Sequence, residues 1–417
     1  MDEFIEKRQN FYNEIDNFWH DIYGKEYALL DIKKESVENI ERLRKATEQI
    51  GHIFYRTAPL LRRLDNETFA RLGFPSETHA FLRLKTIPIE SVIARLDLVV
   101  MGDEIKLLEL NADTPTFIKE TFYVNGKVCD YFHMENPNAG FQDQLRKALL
   151  TAVTASAPIK DSNIIFASHP DNEEDKQTTL YLKELLGIDS QYMDFNELRV
   201  VDQPVFDGGK IILSPGLYDV HGNKIDLLYR QTYPIEHLIH DEDPSTKEKV
   251  GQMLMQLVEQ KELAILNPPS AFLLQSKAIM ALIWGLHEEQ HGFYTQEEHG
   301  IIKKYFLATY LDPDEFLLNG RKFVKKPAFG REGDTIEIYS GTGKKVAEDS
   351  HKTYREELSV YQEFIDLPMI DIQTVHGTRR AHYMYGSFYI NGEASAIGVR
   401  AGGQITDNAS YFLPIGI

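Results

Sequence analysis

The sequence predicts a mixed α/β protein of more than one domain, with helices first, alternating strands and helices next, and strands last. Three observations predict it. Apolar residues recur at helical spacing through "SVENIERLRKATEQIGHIFYRTAPLLRRL". Strand-like and helical runs alternate between Asn163 and Pro234. The last ninety residues are rich in strand-like runs. A chain of 417 residues also exceeds what one simple core organises, so two or three domains are expected.

Taken in order, residues 1 to about 75 read as helical, with a cap region at Ser36 opening the long amphipathic run. "SVIARLDLVVMGDEIKLLELNAD" reads as two strands around a Gly102-Asp103-Glu104 turn. A helix near Asn138 to Ala155 leads to "NIIFASH", a buried strand, and "DNEEDKQTTLYLKELLG", a capped helix ending at Gly187. "KIDLLYRQTYP" is a later strand, and the alternation predicts a partly parallel sheet. From Leu263 the pattern changes: "SKAIMALIWGLHEEQ" is helical, a polar helix follows, and "LDPDEF" is a turn. "KFVKKPAF", "TIEIYS", "LSVYQEFI", "RAHYMYGSFYI" and "ASAIGVR" are strands. The expected division is 1–262 and 263–417, without a flexible tether.

Acidic side chains outnumber basic ones, 64 to 45, for a formal charge of −19. Such a chain repels phosphate backbones and anionic lipid, so neither nucleic acid nor membrane is an expected partner. Cys129 is the sole cysteine, so no intrachain disulfide forms, and a buried structural thiol is its expected role. The amino terminus lacks a signal-peptide apolar segment and no window reaches membrane-span length, which makes the cytoplasm the expected location. Oligomeric state is not legible from the sequence.

The hairpin carries the first functional signal. Arg95 and Asp97 share one face of the first strand; Glu109 and Asn111 share one face of the second. A three-residue turn puts Asp97 opposite Glu109 and Arg95 opposite Asn111, whereas a two-residue turn sends the pairs to opposite faces. In the first register two carboxylates face each other and call for a cation. Arg95 can neutralise one of them; Mg²⁺ explains the set better, since it takes oxygen ligands completed by water and substrate phosphates. A solvated surface hairpin is the competing reading; the apolar flanks Val92-Ile93 and Leu107-Leu108 favour burial.

"VKKPAFGREGDTIEIY" joins a strand bearing Lys325 and Lys326 to a glycine-bounded loop, Gly330-Arg331-Glu332-Gly333. Loop amides with Arg331, plus a strand lysine, suit a triphosphate. "SGTGKK" lacks the remaining features of a Walker loop and reads as an exposed turn. "HEEQH", His287 to His291, matches a zinc-protease pattern, but Gly292 ends the helix there, so a solvated helix end is expected.

With "ARLDL", "LLELNADTPT", "SKAIMALIW", "KKPAFGREGD", "VYQEF" and "AIGVR…QITDNASYFLP" in that order, the chain resembles the glutathionylspermidine synthase family over nearly its whole length. The likeness is to the synthetase portion, a pre-ATP-grasp region followed by an ATP-grasp catalytic part, and not to the amidase domain of bifunctional members. The resemblance implies Mg²⁺ on Asp97, Glu109 and Asn111, with Arg95 near the reacting phosphoryl group. It implies Lys277 and Lys326 on the nucleotide phosphates, and Gly330 to Gly333, with Arg331 and Glu332, as a mobile loop over the triphosphate. Gln362 and Glu363 fall near the adenine, and Arg400 is an active-site arginine. Thr114 and Thr116 line the acyl-acceptor region, and Glu236 suits an ammonium substrate. The chain departs from the family pattern at Gly330, Asp334-Thr335 and Ala401, and is only loosely similar over 225–240. The implied activity is ATP- and Mg²⁺-dependent amide formation between a glutathione-like carboxylate and a polyamine-like amine. Another acid and amine pair, or a non-catalytic nucleotide-binding protein, are the alternatives.

Overall fold

The computed structural model describes residues 2–157, 160–331, 333–406 and 410–417. Helices Asp2–Asn13, Val37–Leu61 and Asn66–Arg71 form in the amino-terminal part. Ser36 Oγ caps the long helix by accepting from Asn39 N at 3.1 Å, and Ile40, Leu43, Ile50, Phe54 and Leu61 form its buried stripe. Residues 14–36 depart from the helical expectation. Asn17, Tyr23 and Gly24 take positive φ, which a helix cannot include, and Asp21–Ile22 pairs with Lys25–Glu26 as a small hairpin.

Among the described residues three sheets have four or more strands. The first is antiparallel, in the order Tyr411–Leu413, Glu393–Gly402, Gly377–Ile390, Ile93–Met101, Glu104–Asn111, with Met369–Thr374 also on Gly377–Ile390. It combines strands from either side of residue 262. The second is parallel, as the alternation predicts: Ala264–Leu266, Leu227–Gln231, Ile164–Ser168, Gln191–Asp194. The helix Glu173–Leu186 that crosses between its last two strands is capped by Asn172 and stopped by Gly187 at φ +67°. The third is antiparallel: Thr309–Tyr310, Ser359–Glu363, Phe323–Pro327, Glu337–Tyr339, Lys345–Glu348.

One apolar cluster reaches all three sheets, through Leu96, Leu98 and Ile397, then Ile165, Leu228 and Ile265, then Val360. Cys129 is buried and its Sγ donates to Ile415 O at 3.1 Å. Two expectations need adjusting. "LDPDEF" leads into a short helix, Asp314–Leu318, whose start Asp312 Oδ1 holds by accepting from Asp314 N. The "HEEQH" helix ends at Glu288, before Gly292; His287 Nδ1 lies 3.2 Å from His299 Nδ1 and His291 is exposed. No single helix among the described residues is long and apolar enough to cross a membrane. The one bent pair that passes by composition, Pro269–Gln275 with Ala278–Glu288, is largely core.

Candidate active site

The hairpin reaches the expected pairing by an unexpected route. Its turn has two residues, Gly102 and Asp103, and Met101 pairs with Glu104; Gly102, at φ +59°, suits the first central position of such a turn. This two-residue turn overturns the three-residue premise and alone would send the polar pairs to opposite faces. A β-bulge between Asp97 and Leu98, with Leu108 the extra residue, restores the parity. Beyond it Asp97 lies opposite Glu109 and Arg95 opposite Asn111. The bulge does a second thing: the Leu108 carbonyl accepts from Lys326 Nζ at 3.3 Å.

The four side chains meet in the interior. Arg95 grips Asp97 with two bonds, Nε to Oδ1 at 2.7 Å and Nη2 to Oδ2 at 3.1 Å. Asn111 Nδ2 spans the two carboxylates, 3.4 Å from Asp97 Oδ2 and 3.3 Å from Glu109 Oε1. Asp97 is 1% exposed and Arg95 4%, which excludes the solvated hairpin. Gly386, opposite Asp97, supplies the room: a Cβ there would come within 3.0 Å of Arg95 Cδ.

Both lysines arrive from outside the hairpin. Lys277 Nζ lies 3.2 Å from Glu109 Oε2 and donates to the Gly330 carbonyl at 2.5 Å. Lys326 Nζ donates to Gln362 Oε1 at 2.7 Å. Burial alone would raise the Glu109 carboxyl, but Lys277, Lys326 and Arg95 outweigh it and hold it far below the usual range. Burial raises Asp97, with the Glu109 charge adding to the rise and Arg95 opposing it. Burial brings the Lys326 ammonium down to about 8.

A cavity of about 100 Å³ collects most of the expected residues: Arg95, Asp97, Glu109, Asn111, Thr114, Thr116, Lys326, Arg331, Gly333 and Arg400 all line it. Gln362 and Glu363 line a smaller adjoining pocket. Arg331 Nη1 donates to Thr114 Oγ1 at 2.9 Å, and Arg95 Nη1 to the Thr116 carbonyl at 3.0 Å. Gly330 abuts Pro327, where a Cβ would approach Cγ to 2.1 Å. Glu332 lies outside the described residues. Glu236 stands apart from the cavity linings, buried in the short helix Ile235–Leu238. Neither of its carboxyl oxygens has a hydrogen-bond partner among the described residues, and burial pushes it up to about 8 against the pull of Arg331.

A family model for the glutathionylspermidine synthase pre-ATP-grasp family matches residues 3–417. The chain belongs to that family. It is 24% identical over 329 residues to a provisionally named acid–amine ligase of Haemophilus influenzae, an alignment that covers 77% of this chain and 73% of that one. In structure it is similar to a provisionally named γ-glutamylcysteine synthetase of Methylobacillus flagellatus, at 13% identity and a TM-score of 0.41, over 90% of this chain and 88% of that one.

The donor types of the hairpin of this glutathionylspermidine synthase family chain suit Mg²⁺, which takes carboxylate and amide oxygens together with substrate phosphates; here Arg95 holds both Asp97 oxygens and Asn111 turns its Nδ2 toward the two carboxylates. No cluster of three or more His, Cys, Asp or Glu side chains suited to a metal occurs among the described residues, so a self-sufficient cage is not what the site offers.

Several site features escaped the sequence reading. A second chamber of about 670 Å³ shares Ile22, Thr114, Thr116, Glu174 and Arg331 with the first, and its wall is acidic through Asp21, Asp171, Glu173, Glu174 and Asp175. Asp113 Oδ1 accepts from the fully buried Arg230 Nη2 at 2.5 Å beneath the Thr114 turn. Tyr27 lines the first cavity. The acidic run "DNEED" was legible, but as a helix cap; nothing local marked Tyr27 or Arg230.

Proposed function

We propose that this chain is an ATP-dependent acid–amine ligase of glutathionylspermidine synthase type, which activates a carboxylate as an acyl phosphate for attack by an amine. The observation that carries the reading is the meeting of Asp97, Glu109 and Asn111 with Lys326, Arg95 and Arg400 around one cavity that opens beside an acidic chamber, with Lys277 paired to Glu109. The basic side suits triphosphate and carboxylate; the acidic side suits a cationic amine, with a polyamine such as spermidine the fitting class. Glutathione is the matching acid. The cytoplasm, where both ATP and a reduced thiol peptide are abundant, is the setting that suits the reaction.

Asp97, Glu109 and Asn111 would hold Mg²⁺, which when bound neutralises phosphate charge and orients the transferring group. Lys326 and Lys277 donate to phosphate oxygens, and Arg95 and Arg400 offset charge that develops on the transferred group and the substrate carboxylate. Gln362 and Glu363 receive the base. At about 100 Å³ the cavity falls below the roughly 300 Å³ of typical ligand sites, so the 330–335 loop swings out to admit nucleotide and closes to exclude water. Thr114 and Thr116 orient the acyl end. Glu236 receives the ammonium group once Arg331 is drawn to the triphosphate.

The test is ADP release with Mg²⁺-ATP across a panel of acids and amines. ADP formation that requires glutathione and spermidine together supports the reading. Turnover with another pair keeps the ligase chemistry and changes the substrates; absence of nucleotide binding overturns both.

A further inference from the structure

One wall of the reaction cavity comes from the amino-terminal stretch, and none of the roles above uses it. Ile22 and Tyr27 line the cavity there. Tyr27 is fixed from both sides: its N–H donates to the His20 carbonyl at 3.1 Å, and its carbonyl accepts from Phe412 N at 2.9 Å. Its Oη donates to Glu120 Oε1 at 2.6 Å. Glu120 is completely buried, and its second oxygen has no hydrogen-bond partner among the described residues. It also opens a π-helical turn, Glu120–Val124, a distortion frequent at functional sites. A pair kept only for packing would not leave a buried carboxyl oxygen unpaired beside a reaction cavity.

We infer that Tyr27 and Glu120 form the relay that removes the proton from the incoming amine. The inference rests on the acid–amine ligase reading. Because Tyr27 spends its hydroxyl proton on Glu120, an oxygen lone pair remains for an N–H donor in the cavity, which is what an ammonium presents. Glu174, which acts electrostatically on Tyr27, lines both the cavity and the acidic chamber, and so marks the amine's approach. As the ammonium becomes a nucleophile, its proton passes to Tyr27 Oη while the phenol proton passes to Glu120 Oε1. The nitrogen then bonds to the acyl carbon and the C–O bond to phosphate breaks. Phosphate leaves with the electron pair and takes the second nitrogen proton. After product release Glu120 returns its proton to Tyr27 Oη, which passes one on to water entering the emptied cavity.

The surroundings favour this direction. Burial keeps the Tyr27 phenol protonated, with Glu120 and Glu174 adding to the effect and Arg400 opposing it, so Tyr27 passes a proton without ionising. Burial raises the proton affinity of Glu120, against the pull of the Tyr27 hydroxyl, Arg95 and Lys119.

Hydroxylamine separates this role from a structural one, because it is already neutral near neutral pH and needs no first deprotonation. Tyr27→Phe and Glu120→Gln, in the full chain, are assayed on whichever acid and alkylamine pair releases ADP, with hydroxylamine in parallel. The expected result is a fall in amide formation of about 10²- to 10⁴-fold, with hydroxamate formation near wild type. An equal loss of both products, or retention of amide formation by both variants, overturns the relay alone. Wild-type protein that turns over no pair overturns the ligase reading and the relay with it.

Discussion

At the scale of single residues, the carboxylates of Glu109 and Glu236 sit in opposite environments. Glu109 has two lysines and an arginine around it and stays ionised. Glu109→Gln removes a charge but little volume, so activity should fall by about 10²-fold or more while the thermal midpoint moves by only a few degrees. Full ADP-forming activity in that variant would remove Glu109 from the metal site. Glu236 has its charge opposed by burial and its carboxyl pushed up to about 8, above the usual value of 4.5. Between those values the folded chain holds a proton that the unfolded chain has released, so stability falls as pH rises from about 4.5 to about 8. Glu236→Gln removes that contribution, leaving those of the other titrating groups. The difference between thermal midpoints at pH 5 and pH 8 should therefore shift in favour of pH 8 in the variant relative to wild type. A variant with the same pH 5 to pH 8 difference as wild type would refute the assignment.

At the scale of elements, the hairpin and the glycine loop divide what sequence can and cannot tell. Side-chain alternation made the Arg95/Asp97 and Glu109/Asn111 faces legible, and the apolar flanks made their burial legible. The turn length was not, because Gly102-Asp103-Glu104 suits either a two- or a three-residue connection, and a bulge at Leu108 leaves no local signature. The loop's glycines were legible as flexibility, yet their packing was not. Gly333 takes φ +74°, and a Cβ there would lie 2.2 Å from the Thr406 carbonyl oxygen and 2.9 Å from Ile405 Cγ2. Gly333→Ala should therefore hold the loop away from the 405–406 segment, adding about 1 kcal/mol of backbone strain to the clash. Expected are a turnover loss of at least about tenfold, an overall stability close to wild type, and faster proteolysis between 328 and 336. Unchanged turnover with the loop equally protected would show that closure against Thr406 is not part of the cycle.

At the scale of the whole molecule, the site exists only because distant chain segments converge on the end of one hairpin. Asn267, which follows the parallel-sheet strand Ala264–Leu266, accepts from Val92 N and Ile93 N through Oδ1 at 2.9 and 3.1 Å. Its Nδ2 lies within bonding distance of the Ile93, Ala112 and Asp113 carbonyls, at 3.0, 3.3 and 2.7 Å. Gln275 Oε1 accepts from Ala112 N and Asp113 N on the same turn. These amides tie the hairpin's open end, with the Asp113–Arg230 pair behind it, to the rest of the core. Pattern reading had no access to them, since an Asn after a strand reads as a turn residue and only the fold supplies its partners. Asn267→Ala leaves several buried backbone groups unpaired and should cost on the order of 3 kcal/mol by denaturant titration. Because those groups position the hairpin strands that carry Asp97, Glu109 and Asn111, turnover at a temperature where the variant remains folded should fall as well, and Gln275→Ala should be non-additive with it. A loss within about 0.5 kcal/mol would mean that side-chain packing alone, through Leu96, Leu98 and Ile265, sets the hairpin against the parallel sheet.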